Sequence, residues 1–293
     1  IFCSAMAQYV ENMRRMPTVV DFVDVDSAKW TQYADKHRWP MSWLYRREGE
    51  FLLAYERQIA SQAARSFFVT ESEVALFTSL APECNVRVEA MCNGVDSDYF
   101  TPDATRASPY TADETPIVFT GAMDYWPNVD AVTWFAKEVL PGLLIDHPET
   151  RFYIVGRSPT PAVRELQSES VNVTGTVADV RPFLQHAAAV VAPLRLARGI
   201  QNKVLEAMAM ARPVVAARSC AESIDARVGD ELLAADNAAH YVAELDKLLT
   251  DPVRARSIGA AGRRRVQRAY SWEAHLGAFE AFIPAPSLRA VGV

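Results

Sequence analysis

From Pro116 onward the chain alternates short β-branched or aromatic runs with stretches long enough for helices, and that cadence constrains the fold more than any other feature. The runs are "PIVFTG", "RFYIVG", "VNVTG", "AAVVAP", "RPVVAA" and "ELLAAD", with helices expected from Pro127, Thr160, about Ala178 and Gly199, and again beyond Asn237 and Asp251. A helix between two strands carries the chain back to the starting edge, so regular alternation of this kind is the pattern of βα units in a parallel sheet. Four of the six runs end in Gly or Pro: Gly121, Gly156, Gly175 and Pro193. In open α/β sheets ligands bind beyond the carboxyl ends of the strands, so a site is expected along that row.

The first hundred residues repeat the pattern less regularly. Val19–Val25 reads as a strand that carries Asp24, Asp26 and Ser27 into a loop. Ser42–Arg65 reads as one long helix, and Phe67–Thr70 as a buried strand leading into a helix that Ser72 caps. "NVRVEA" follows as a strand, with a turn at Asn93-Gly94. Residues 101–116 are rich in Thr, Ala, Pro, Asp and Ser and read as a linker. The expected organisation is therefore a partial α/β domain over 1–100, a linker over 101–116, a second α/β domain over 117–270, and a C-terminal helix and tail over 271–293.

Several function classes lose support at once. A net charge of −6 gives no footprint for nucleic acid. Cys3, Cys84, Cys92 and Cys220 are scattered without a CxxC pair and read as reduced thiols of a cytosolic protein. No apolar run approaches the ~18 residues of a spanning helix, no helix is basic and amphipathic enough to demand a membrane surface, and the five histidines lack metal-ligand spacing. The chain starts at Ile1 without a signal-peptide pattern, and Ile1 reads as the edge of a fragment.

The segment "PLRLARGIQNKVLEAMAMARPVVAA" carries the chemistry. On a wheel of about 100° per residue with Gly199 at the origin, Asn202, Lys203 and Glu206 fall within about 60° of it, while Val204, Leu205, Met208 and Ala211 face the other way. An ordinary solvated face would stay polar, but here Met210 ends it after two turns. A surface Lys203–Glu206 pair with a snorkelling Arg198 would explain the charges alone. A helix N-terminus flanked by Gly199, Arg198 and Lys203 suits a phosphate or diphosphate better. Glu206, one turn deeper, cannot favour the same anion and suits hydroxyls, as a carboxylate does on a ribose. Diphosphate beside ribose is a nucleotide. No G-x-G-x-x-G follows a strand and no G-K-[ST] occurs, which argues against dinucleotide and P-loop sites.

"RGIQNKVLEAMAMARPVVAA" resembles the donor-site helix of retaining GT-B glycosyltransferases of family 4. "NGVDSDYF", "PIVFTGAMDYWPNVDAVTWF", "FYIVGRSP", "VNVTGTVADVRPFLQHAAAVVAPL" and "YSWEAH" fit the same family in order, from about Asn93 to Phe282. "SAMAQYV", "VDFVDVDSAKW" and "YERQIA" are similar to sugar transferases of exosortase and exopolysaccharide loci. The resemblance implies an α/β GT-B fold of two Rossmann-like, doubly wound domains facing across a cleft, the first lacking its opening strands. It implies a metal-independent, hexosyltransferase-type enzyme without cofactor that moves a sugar from a UDP-, GDP- or ADP-sugar to a glycan or lipid-linked acceptor. Such an enzyme works in the cytoplasm, and the resemblance admits a peripheral association with the inner face of the membrane.

Carried over residue by residue, Glu206 matches the family's ribose-binding glutamate; with Lys203 and with Arg198, which has no counterpart in the family and is read here as added positive charge for the diphosphate, it forms the expected catalytic group. Gly121 and Ala122 approach the phosphates, with Gly156 and Arg157 at the end of the neighbouring strand. Gly175, Thr176 and Val177 lie beside the base, while Gly199, Ile200, Gln201, Asn202 and Leu205 lie under the diphosphate and sugar. Two departures stand out. The family pairs two glutamates eight residues apart, but Arg198 stands eight before Glu206. The Arg and Lys that many members place after the first donor-domain strand are absent from "GAMDYWPNVD". Two other readings remain at this level, a nucleotide-sugar epimerase on the same fold and a non-catalytic sugar-nucleotide binder.

Overall fold

The computed structural model describes residues 1–10, 17–91, 93–195 and 199–274. It divides into two compact units, one built on Ile1–Asn93 and the other on Gly94–Gly277. Among the described residues no helix is long and apolar enough to cross a membrane.

The first unit contains β1 (Val19–Val23), α1 (Asp26–Lys36), α2 (Met41–Gln62), β2 (Arg65–Phe68), α3 (Glu71–Leu80) and β3 (Val88–Ala90). Its strands pair in parallel in the order β1-β2-β3. Phe22 stacks on Phe68 with ring centroids 5.1 Å apart, and Phe77 closes the cluster 4.8 Å from Phe68. Ile59 and Ala60 of α2 lie buried in the same core.

The expected strand Val19–Val25 stops at Val23 because buried carboxylates capture the chain beyond it. Glu73 accepts from the Val25 N–H at 2.7 Å, and Glu56 accepts from the Ser27 hydroxyl at 2.6 Å and its N–H at 3.3 Å. Burial pushes the Glu56 carboxyl up to about 7, against the pull of the Ser27 bonds. The long helix ends at Gln62, so that Arg65 opens β2, and Thr70 caps α3 in place of Ser72, accepting from the Glu73 N–H at 3.1 Å.

The second unit runs β4 (Thr115–Thr120), α4 (Trp126–Trp134), α5 (Leu140–Asp146), β5 (Thr150–Val155), α6 (Pro161–Arg164), β6 (Val171–Gly175), α7 (Arg181–His186), β7 (Ala189–Ala192), α8 (Asn202–Ala209), β8 (Val214–Ala217), α9 (Arg218–Glu222), β9 (Leu233–Ala235), α10 (Ala238–Thr250) and α11 (Pro252–Ala269). All six strands are parallel, in the order β6-β5-β4-β7-β8-β9. Renumbered from β4, that is the Rossmann order 3-2-1-4-5-6, in which the winding direction reverses between the first and fourth strands. Ile117, Val118, Phe119, Ile154, Val191 and Val215 are fully or almost fully buried along these strands. That explains why they read as continuous apolar runs rather than alternating ones.

Of residues 101–116, which composition assigns to a linker, the last two open β4 and 101–114 pack onto the second unit. The Asp103 N–H donates to Gln185 Oε1 at 2.9 Å, Gln185 Nε2 returns a bond to the Asp103 carbonyl at 2.7 Å, and the Tyr110 hydroxyl donates to the Phe183 carbonyl at 2.7 Å. Hydrogen bonds to its backbone hold this segment, together with the Tyr110 ring, which packs edge-on 4.7 Å from the centre of the Tyr153 ring. The boundary between compact units falls at Asn93/Gly94 instead. Most of the expected C-terminal helix and tail lies outside the described residues.

Candidate functional site

The reversal of winding lies between β4 and β7, so the connections that leave their carboxyl ends run to opposite faces of the sheet and open a crevice. Hydrogen bonds lace its floor together: the Gly121 N–H donates to the Val155 carbonyl at 3.0 Å, and the Gly156 N–H to the Gly175 carbonyl at 3.3 Å. The backbones approach so closely that a Cβ on Gly156 would sit 1.6 Å from the Gly121 carbonyl oxygen. No side chain fits there. This crowding requires glycine at the ends of adjacent strands and brings two bare backbone segments to one edge.

Above this floor lies a pocket of about 430 Å³, lined by Thr120, Gly121, Val155, Gly156, Arg157, Thr176, Val177, Val180, Lys203 and Glu206. Lys203 and Glu206 enter it from the first two turns of α8, three residues apart and therefore on one face. The Lys203 ammonium lies 4.0 Å from the centroid of the Phe119 ring and donates to Asn128 Oδ1 at 2.6 Å. Desolvation lowers its pKa to about 7, with Cys220 and Glu206 opposing the fall. The same desolvation raises the pKa of Glu206, and Lys203 holds it back.

Asn128 holds Lys203 in place. It is buried at 6% exposure in α4, and its Nδ2 donates to the Ala122 carbonyl at 2.9 Å while its Oδ1 receives Lys203. One amide thus fixes the turn after β4 and aims the ammonium. Gly121 leaves room for the arrangement, since a Cβ there would lie 2.7 Å from Asn128 Nδ2 and 3.1 Å from Lys203 Nζ.

Two polar groups lining the pocket keep hydrogen-bonding capacity open among the described residues. The buried Thr120 hydroxyl has no partner, and the Glu206 carboxylate accepts no hydrogen bond. Buried polar groups are nearly always paired, so an open acceptor and an open hydroxyl facing one pocket suit a ligand with hydroxyls of its own.

Of the residues singled out in the sequence, Gly121, Gly156, Arg157, Thr176, Val177, Lys203 and Glu206 line this pocket together. Ala122 contributes the carbonyl that anchors Asn128, and Gly175 turns the chain at φ +68°. Gly199 does not start the helix as expected. Its φ of +62° is left-handed, Gln201 is extended, and α8 begins at Asn202, so Gly199, Ile200 and Gln201 form the approach to its N-terminus. Leu205 is fully buried and packs in the core rather than lining the pocket. Arg198 lies outside the described residues.

Thr120 and Asn128 were not anticipated. The threonine could have been found as the polar residue closing "PIVFT" at the strand's carboxyl end. Asn128 gives no local signal, because its partner Lys203 stands 75 residues away.

The strand order and the position of the pocket define the second unit as a Rossmann-like domain with its crevice at the switch point. Residues 114–251 match the family described as glycosyl transferases group 1. Among solved structures, the chain is similar to Alr3699/HepE of Anabaena in complex with UDP, at a TM-score of 0.71 and 13% identity over 95% of this chain and 75% of that one. It is also similar to the sucrose-phosphate synthase of Thermosynechococcus elongatus, at a TM-score of 0.70 and 17% identity over 96% and 71%. WaaG, a glycosyltransferase involved in lipopolysaccharide biosynthesis, gives 0.63 and 16% over 94% and 79%. These likenesses place the fold in the GT-B class. No curated protein matches at the level of sequence.

Proposed function

We propose that the chain is a glycosyltransferase of family 4 that takes a nucleotide-diphosphate sugar in the pocket of its second unit and transfers the sugar with retained configuration, without a metal. One observation carries this reading: Lys203 and Glu206 share a pocket in which the ammonium uses one of its three donors and the carboxylate accepts no hydrogen bond among the described residues. The ammonium suits a diphosphate. The carboxylate suits the ribose hydroxyls, and the bare edge at Gly121 and Gly156 suits close approach by phosphate oxygens. The match over residues 114–251 supports the class of reaction. UDP and UDP-glucose, with which Alr3699/HepE was solved, supply the donor chemistry by analogy.

In the transfer, the bond from the sugar's anomeric carbon to the diphosphate oxygen breaks, and its electron pair leaves with that oxygen. Lys203 and the dipole at the start of α8 stabilise the charge that develops there. The acceptor hydroxyl oxygen bonds to the anomeric carbon on the face the diphosphate vacates, and its proton passes to the departing phosphate oxygen. No protein nucleophile takes part. The acceptor is a glycan or a lipid-linked sugar of an exopolysaccharide, met at the cytoplasmic face of the membrane, and the transferred group is a hexose.

Binding is expected to depend on pH in a definite direction. In the empty site Lys203 titrates near 7, and a bound diphosphate raises its pKa, so binding above that pH takes up a proton. Affinity for UDP-, GDP- or ADP-sugars therefore falls as pH rises above 7, by up to about tenfold per unit. Below 7 Lys203 is already charged and the dependence flattens. A thermal-shift screen of the three donors at pH 6.5 and 8.5 checks this, since a donor at about 100 Kd adds ~2.7 kcal/mol of stability. Absence of a shift from every donor at both pH values would remove the proposal.

A further inference from the structure

The second unit holds another pocket, on a flank of α4 that the donor chemistry does not use. Trp126, Asp130 and Trp134 stand at i, i+4 and i+8 along α4 and line a space of about 370 Å³ together with Lys137, Glu138 and Arg195. Trp126 is 58% exposed. Trp134 is fixed instead, packed edge-on against the buried Tyr241 with ring centroids 5.7 Å apart. Arg195 holds both carboxylate oxygens of Asp130, through Nε at 3.0 Å and through Nη2, and its guanidinium lies 5.8 Å from the centre of the Trp134 ring.

Two features mark this flank as a built site. Beyond Trp134 the helix widens into a single π-turn, Phe135–Val139, in which the Leu140 N–H donates to the Phe135 carbonyl. Such turns are rare and occur frequently at functional sites. This one carries Lys137 and Glu138 onto the pocket wall. The pocket also joins the two strand ends at which the winding reverses, since β4 leads into Trp126 and β7 into Arg195. Asn128, about 200° from Trp126 on the helix, points away from this flank to hold Lys203.

The charges on the wall cancel, Asp130 and Glu138 against Lys137 and Arg195. A phosphate would call for a cationic excess and an amine for an acidic one, and the lining residues offer neither. A neutral ligand fits, provided that it donates to the carboxylates, accepts from the cations and lays an apolar face on an indole. A pyranose ring does all three, because its hydroxyls both donate and accept while its C–H groups form an apolar face. The volume lies in the small-molecule range, which suits a ring entering a concavity rather than a flat protein contact. We infer that this pocket binds a pyranose ring of a glycan, with Trp126 against the C–H face and the Asp130–Arg195 pair on the hydroxyls. The inference rests on the proposed function only in taking a glycan as the source of the ring. The two pockets share no lining residue, so they can be tested apart.

Titration of the chain with maltohexaose, cellohexaose and mannohexaose, followed by saturation-transfer NMR, tests it. At least one of the three binds the wild type, and Trp126→Ala lowers its affinity at least about tenfold, the scale of losing an aromatic anchor. Trp126→Phe recovers part of that loss. Asp130→Ala with Arg195→Ala weakens binding by a similar factor, about tenfold. The Arg195 side chain is half exposed, so losing this pair costs little stability, and removing both partners leaves no unpaired charge. All these variants retain the melting temperature and the thermal shift given by a nucleotide-sugar. The glycan pocket alone is overturned if a nucleotide-sugar shifts the wild type while no oligosaccharide binds it, or if the variants bind like wild type. It is overturned too if the chain forms a dimer that Trp126→Ala dissolves while oligosaccharides bind neither form. Absence of both the shift and the oligosaccharide signal overturns it together with the proposed function.

Discussion

Lys203→Ala lowers glycosyl transfer by about a hundredfold or more, the scale of losing one preorganised donor aimed at developing charge. The argument runs from burial to rate. Lys203 is carried into a desolvated position that lowers its pKa to about 7, and Asn128 spends a buried amide on holding it there. A lysine with no task would relax toward water, because its stem is long and its ammonium strongly hydrated. In a low-dielectric pocket its charge acts on the leaving diphosphate far more strongly than a surface lysine could. The negative charge on the bridging oxygen grows as the bond breaks, so the loss falls mainly on kcat and less on donor affinity. Lys203→Arg does not restore the rate, since the guanidinium is too large for the space shared with Asn128 and Gly121. Unchanged turnover in Lys203→Ala, measured under donor saturation, removes Lys203 from the mechanism.

Glu206→Ala has its largest effect on donor affinity. A carboxylate that accepts two ribose hydroxyls makes hydrogen bonds to a charged group, each worth about 1.5–3 kcal/mol. Loss of donor affinity by at least about a hundredfold is therefore expected, with kcat at saturation changed less. A second readout separates ligand recognition from folding. In the empty protein Glu206 is desolvated, its pKa raised by burial and held back by Lys203, and it accepts no hydrogen bond among the described residues, so the second readout compares donors on the same folded variant. A donor lacking the ribose 2′-hydroxyl binds the wild type more weakly than the normal donor but binds Glu206→Ala equally. If wild type and variant discriminate the two donors alike, Glu206 does not hold the ribose.

The strands of the second unit are legible in the sequence because fully buried parallel strands are written as unbroken β-branched runs, and Ile117–Phe119 and Val190–Val191 show it. Their glycine ends are legible for a steric reason, since Gly156 cannot carry a Cβ against Gly121. The order of the strands is not written locally, and neither is the position of the crevice, which depends on β7 lying beside β4. The start of α8 is misjudged by three residues because "GIQNK" suits a helix by composition, whereas the left-handed Gly199 becomes visible only in the backbone.

Asn128 is silent for a related reason: a lone asparagine after Pro127 reads as an ordinary first-turn residue, and its role exists only once α8 has packed nearby. Residues 101–114 mislead in the opposite direction. Their Thr, Pro and Ser suggest a loose connection, but Gln185 and Phe183 pair with the backbone and with Tyr110.

The most direct test of the central claim is a crystal structure of the chain with a nucleoside-diphosphate sugar bound. It is expected to show a diphosphate oxygen within hydrogen-bond distance of Lys203 Nζ at the start of α8, phosphates against the backbone at Gly121 and Gly156, and ribose hydroxyls donating to Glu206. A nucleotide bound elsewhere, with the Lys203–Asn128 bond intact and Glu206 untouched, would contradict the account.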